Sequence, residues 1–332
     1  MAPLLTRAKG KSAPLGFATN HPRLGAALGA LAISQSSPLA KLSGASPAVV
    51  TLFRGVFAFP FLLFLARREG HAPSRRDRGL ALLAGALFAL DLQCFHISIP
   101  LLGVALATVV PNAQVFIVGL FAALSGERTP GRAFAAIPFA LLGLLMLARV
   151  VDPFGDGVVG SGVGSGVVAA GSDPALGVLW ALGAATFYGL YLVITRRIST
   201  ASSAVGPFTM LRDSAIGMIG TSLVLALLTG SLLPPDVGPG LGWLLLLALM
   251  SQVLGYPLIN ASIPHLPSVV GSVLLFVQPL MTLVAGVVIF GEIPTPGQLV
   301  GALILFGGVL VAARKSRVTR SASPASGRAQ DS

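Results

Sequence analysis

A single cysteine, Cys94, excludes an internal disulfide and leaves the redox compartment undetermined. Charge is nearly as scarce. Only 10% of the 332 residues are charged, against about 25% in soluble domains, so this chain cannot cover a water-facing surface. Acidic residues number 11 against 22 basic ones, a balance that would suit nucleic acid if aromatic residues were interleaved with the cations. They are not: the Lys and Arg sit in short clusters between apolar runs and at the two ends, so no nucleic-acid partner is expected. The residue sets of enzyme chemistry are missing too. No Ser/His/Asp set, HExxH helix or Walker A loop occurs, so ATP does not power this protein directly. Cys94 and His96 supply two metal ligands, too few for a site. "GSGVVA" (164–169) has no strand–helix unit around it and reads as linker rather than a dinucleotide fingerprint. The sequence therefore predicts no metal and no cofactor.

What remains is apolar: 54% of the chain, with a mean hydropathy of +0.87. Crossing the hydrocarbon takes about 20 mainly apolar residues. Ten segments qualify: 22–41, 47–66, 79–99, 102–124, 132–150, 175–195, 205–229, 241–262, 267–290 and 296–313. The basic stretch 1–21 leads into the first of them without a clear cleavage site, so it reads as an uncleaved N-terminus. Connections are short except for the Gly/Ser/Val linker at 151–174, which divides the chain into 22–150 and 175–313. The basic, Ser-rich tail 314–332 reads as disordered.

With ten spans, eighteen Lys and Arg fall on one side, and only Lys41 and Arg149 fall on the other. This bias predicts that both termini face the cytoplasm, in the inner membrane. The two cations left over, Arg54 and Arg212, lie within spans. The chain also repeats itself. "GERTPGRAFAAIPFALLGLLMLAR" (126–149) answers to "GEIPTPGQLVGALILFGGVLVAAR" (291–314), and "SIPLLGVALATVV" (98–110) to "SIPHLPSVVGSVL" (262–274). Gln114 and Gln278 match, as do Arg54 and Arg212. Five spans per half force the second half to enter from the opposite side. The expected fold is therefore an all-α integral membrane protein of ten transmembrane helices, arranged as two inverted five-helix repeats, with sites near mid-membrane where the halves meet.

These motifs resemble the EamA-type members of the drug/metabolite transporter superfamily over roughly 22–314. The resemblance is carried by "TLFRGVFAFPFLL" in span two, "GVLWALGAATFYGLYLVITRR" in span six and "FVQPLMTLVAGVVIFGEIPTPGQLVGALILFGGVLVAA" across spans nine and ten. "LAGALFALDLQCFHISI" with "GVALATVVPNAQVFIVGLF" is similar to one bacterial subgroup. Family members often carry Pro at the place of Pro279 in both halves; here the first half instead carries Pro111 one turn earlier. The resemblance implies secondary transport of small metabolites, often export, without naming a substrate.

Polar residues inside spans are the candidate solute and ion path. Arg54 and Asp91 share a depth, and an unpaired charge there costs at least ~2.5–3.5 kcal/mol. Either they form a bridge that fixes two helices or they line the path. Gln93 and His96, three apart, share a helix face, while Asp91 lies about 140° from His96. In the second half Arg212, Asp213, Tyr256 and Asn260 are expected as a mirrored cluster near the other mouth, with Arg212 and Asp213 pointing about 100° apart toward different partners. Asn112, Gln114, Gln252 and Gln278 fall near the midplane, and Pro111 and Pro279 each free a backbone carbonyl. Glu127 and Glu292 follow Gly at span ends and read as caps or loop anchors facing opposite compartments. "GAALG" (25–29) and "GQLVG" (297–301) are close-approach patterns, the second serving internal packing or a homodimer.

The reading is a proton-coupled carrier working by alternating access in a lipid bilayer. Asp91, with His96, takes and releases a proton, while Arg54 or Arg212 holds an anionic group of an amino-acid-like, organic-anion or drug-like solute. A channel or a non-transporting scaffold is the rival.

Overall fold

The computed structural model describes residues 16–69, 73–114, 116–117, 137–147, 151, 173–201, 205–234, 236–262, 265–266, 277–292 and 294–313. Glu127, most of the linker and the two terminal segments lie outside the described residues, as do the side chains of Asn260 and Pro279. Every regular element among the described residues is helical.

A short α1 (Gly16–Asn20) precedes α2 (Pro22–Ser34) and α3 (Ser36–Leu42), which together occupy the first expected span. Its break at Gln35 has a covalent cause. Pro38 has no N–H to give the Ser34 carbonyl; the Thr282 hydroxyl, 248 positions away, donates to that carbonyl instead at 3.0 Å. Next come α4 (Pro47–Arg67) and α5 (Arg75–Leu102). The latter opens on a capping arrangement in which the Ser74 hydroxyl accepts from the Asp77 N–H at 3.0 Å and donates to its carboxylate at 2.7 Å. Gly103, with φ at +83°, ends it. Then α6 (Val104–Val109) tightens into a 3₁₀ turn at Val110–Ala113, where Pro111 sits. The first half closes with α7 (Ile137–Leu147).

The second half begins at α8 (Pro174–Ala201), capped by the Asp173 carboxylate, which accepts from the Ala175 and Leu176 N–H groups. It continues with α9 (Pro207–Leu228) and α10 (Val237–Leu247). A π-helical stretch, Ala248–Gly255, links α10 to α11 (Tyr256–Ser262). The last two helices are α12 (Val277–Phe290) and α13 (Pro296–Ala313). Helix is thus found inside each of the ten expected segments. Among the described residues, five stretches are long and apolar enough to cross a membrane: Pro47–Arg67, Arg75–Leu102, Pro174–Thr195, Phe208–Leu228 and Val237–Ile259. Leu280–Phe290 and Pro296–Gly308 are apolar but shorter. Large side chains such as Leu228, Val288 and Leu303 point outward at 79%, 77% and 69% exposure, an arrangement suited to hydrocarbon rather than water.

Helices from opposite halves interleave. The closest partners are α5 with α8 and with α9, α4 with α9, α7 with α13, α2 with α11, and α6 with α12. Small residues permit this. A Cβ on Gly85 would collide with the Ser214 carbonyl, and one on Gly217 with the Leu82 carbonyl, so α5 and α9 touch backbone to backbone. Gly301 meets Gly143 in the same way, which gives "GQLVG" an internal packing role.

Directions follow from neighbours. Ala48 clusters with Ala226 while Ala66 clusters with Phe208, so α4 and α9 run antiparallel. Gly177 abuts Leu102 and Gly183 faces Cys94, so α5 and α8 are antiparallel as well. Lys41, Val104 and Glu292 therefore gather at one end of the bundle. Glu69, Phe208 and Thr209 gather at the other, where the Glu69 carboxylate accepts from both backbone N–H groups and the Thr209 hydroxyl at 2.8–2.9 Å. Arg67, Arg68, Arg75, Arg76 and Arg78 lie at this second end, around the α4–α5 connection.

Candidate functional site

A cavity of about 190 Å³ opens between the halves. It sits where two helices break. The Gln35 interruption puts Ser36 and Ser37 on its wall, and the 3₁₀ turn after α6 puts Pro111, Asn112 and Gln114 there. With no N–H on Pro111, the end of α6 needs other donors. The Asn112 amide supplies two bonds, to the Thr108 and Val109 carbonyls at 3.0 Å each. That use of Nδ2 leaves the Asn112 carbonyl oxygen for the cavity. Thr282 bridges from the far side, donating to both Ser34 and Gln278 carbonyls.

The charged wall comes from α4 and α5. Arg54 is 1% exposed, its guanidinium carbon lying 5.9 Å from the Phe88 ring and 5.8 Å from the Tyr256 ring. The Tyr256 hydroxyl is its hydrogen-bond partner. Asp91 is 7% exposed on the same wall. Asp91 has no contact ion pair among the described residues. A buried guanidinium and a buried carboxyl group line one cavity without an ion pair between them. Packed directly together they would only join helices; held apart they are open to a third group.

Of the expected path residues, Arg54, Asp91, Asn112, Gln114, Tyr256 and Gln278 line this cavity, with Pro111. Tyr256 does so from α11, against the expectation that it belongs to the opposite cluster, because its ring reaches across to Arg54 and Phe88. Others lie elsewhere. His96 is buried beside Phe95 and off the wall, and Gln93 keeps a buried, unpartnered oxygen away from it. Gln252, on the π-helical stretch, faces a separate pocket of about 20 Å³ and donates to the Met218 sulfur at 3.8 Å. Pro279 is placed only as part of the α12 backbone.

Arg212 and Asp213 correct the expectation that they seek different partners. Arg212 Nε and Nη2 lie 2.8 and 2.6 Å from the Asp213 carboxylate, and Arg78 stands 3.8 Å away. The Cα–Cβ vectors diverge, but the long arginine stem folds back. This cluster does not touch the cavity. Sequence reasoning missed Tyr188, Ser36, Ser37, Thr108 and Thr282, all on the wall. The chain has only three tyrosines. All of them meet at Phe88, with ring centroids 6.2, 5.0 and 5.7 Å from it for Tyr188, Tyr191 and Tyr256. That scarcity was the available signal.

Residues 175–314 match the EamA-like transporter family. The match covers this second half of the chain. The pseudopaline exporter CntI of Pseudomonas aeruginosa (strain UCBPP-PA14) is 31% identical over 132 residues, covering 39% of this chain and 45% of the exporter. The same exporter of strain PAO1 gives identical figures. The matched region thus spans less than half the length of these relatives. A solved crystal structure at 19% identity superposes with a TM-score of 0.55, covering 88% of this chain and 96% of its own, which shows likeness of fold alone. Both similarities are to transport proteins rather than to enzymes.

Proposed function

We propose that the protein is a secondary carrier of a small polar metabolite, built from two inverted five-helix repeats (22–150 and 175–313) and working by alternating access. The carrying observation is that Arg54 and Asp91 face one cavity between the halves without contacting each other. Arg54, steadied by Tyr256, binds an anionic group of the solute, and Asp91 takes and releases the coupling proton. His96 stays behind the wall, so Asp91 carries the proton without it. Asn112, Gln114 and Gln278 offer neutral hydrogen bonds that orient the solute without adding charge.

Helix packing supports the inverted repeat. If each span is exchanged for the one five later, α5 against α8 becomes α11 against α2, and α2 against α12 becomes α8 against the 3₁₀ turn after α6. Both members of each pair are in contact. The pairs α4–α9, α6–α12 and α7–α13 map onto themselves. The gathering of arginines around the α4–α5 connection supports cytoplasmic termini in the inner membrane. The exporter relatives favour outward transport.

Comparing metabolites inside and outside cells that lack or overproduce the protein identifies the solute. In proteoliposomes, Asp91→Asn is then expected to abolish flux driven by a pH gradient while sparing solute exchange. Driven flux at the parent rate would reject the proton role, and large unitary currents in a planar bilayer would reject the carrier in favour of a channel.

A further inference from the structure

At the end of the bundle remote from the arginines, three chain segments meet on one carboxylate. Glu292 is 2% exposed. One of its oxygens accepts from Lys41 Nζ at 2.7 Å and the other from the Val104 backbone N–H at 2.7 Å. Lys41 ends the first span, Val104 begins the fourth, and Glu292 turns the chain between α12 and α13. The Lys41 ammonium also lies 4.3 Å from the centre of the Phe290 ring. Gly103 and Gly291, with φ of +83° and +65°, make the sharp turns that aim the N–H and the carboxylate at each other.

These contacts stand directly over the cavity. Ser37 precedes Lys41 by one helical turn and Thr108 follows Val104 by one. Both line the wall, and their hydroxyls lie 3.3 Å apart. Two polar layers therefore close this end, a weak hydroxyl contact inside and a charge-assisted one outside. The outer layer ties the first-half helices to a corner of the second half. Glu69 differs, since it binds the start of α9 beside its own helix α4 and spans no cavity.

We propose that Glu292 is the latch of one gate: its bonds to Lys41 and Val104 hold this mouth shut, and their breakage opens the cavity to that face. The proposal rests on the alternating-access reading. Opening this mouth requires the first and fourth spans to leave the α12–α13 corner. The bonds lost are those two, with the hydroxyl contact beneath. A carboxylate that satisfies both partners at once makes closure all-or-none, because leaving one partner exposes the other to an unpaired buried charge.

The test reads access rather than transport. In a Cys94→Ala background, Ser36→Cys places a reporter on the wall where the native hydroxyl has no partner. A membrane-impermeant maleimide is applied to either face of sealed vesicles. The parent reporter is expected to label slowly from the Lys41 face. Glu292→Gln and Lys41→Met should each raise that rate about tenfold, since losing one close charge pair shifts a two-state equilibrium by roughly that factor. Lys41→Met keeps the carboxylate on the Val104 N–H, so it decides the matter if Glu292→Gln folds poorly. One-sided labelling that neither variant changes would overturn the latch alone. Fast labelling of the parent from both faces would overturn the carrier reading and the latch with it.

Discussion

Arg54 and Arg212 occupy matching places in the two halves, yet they do different things. Arg212 is bound to the carboxylate next to it in sequence at 2.6 Å, with its side chain 20% exposed. Arg54 is buried, has aromatic rings and a phenol for company, and looks across a cavity at Asp91. The difference lies in which anion is within reach. Asp213 follows Arg212 directly, whereas the residue after Arg54 is Gly55, against which Met218 and Ile219 pack. The partner supplied by the third span has no counterpart either: the register that matches Ser98 to Ser262 sets Asp91 opposite Gly255. A repeated frame thus carries one satisfied ion pair and one open one. In the proposed carrier, the open one handles the solute.

The sharpest way to break this arrangement is to push α5 and α9 apart. Gly85→Leu puts a side chain where the Ser214 carbonyl already stands. Little folded protein is expected, seen as loss of a monodisperse peak in detergent, since overpacking of even a few methylenes costs about 1–3 kcal/mol. Next, Arg212→Met leaves Asp213, 2% exposed, with Arg78 at 3.8 Å as its remaining cation. Thermal unfolding should show a loss of about 1–3 kcal/mol, while transport per folded molecule changes little. Tyr256→Phe keeps the ring beside Arg54 and removes the hydroxyl. Apparent affinity for an anionic solute should fall up to about tenfold, the equivalent of one charge-assisted hydrogen bond, with folding unaffected. The smallest effect is expected from Gln252→Leu. Its side chain faces the minor pocket and a sulfur, so flux should stay within about twofold, less than one good hydrogen bond would cost.

Long apolar runs made the helix positions legible, and ten expected segments each contain helix. Charges inside those runs were legible too, which is why Arg54 and Asp91 stood out. Depth along a span is less informative than side-chain reach: residue counting sets Tyr256 beside Arg212 and Asp213, while its ring reaches Arg54 and Phe88. The Arg212–Asp213 contact escaped for a related reason, since angular separation on a helix wheel ignores a flexible four-bond stem. Ser36, Ser37, Thr108 and Thr282 were illegible, because a hydroxyl bonded to its own helix backbone looks the same in sequence whether or not a cavity lies beyond it. In sequence Glu292 reads as a cap or loop anchor, and it does anchor Val104; its second partner, Lys41, lies 251 positions away, where no local pattern points.

In the proposed carrier, solute passes Arg54 and not Arg212. Once metabolite profiling has supplied an anionic solute, its export rate from cells expressing equal amounts of Arg54→Gln or Arg212→Gln tests this most directly. Arg54→Gln is expected to lose at least about tenfold in rate, as removal of one buried charged contact would cause, and Arg212→Gln to keep most of it. Equal losses, or a larger loss at Arg212, would contradict it.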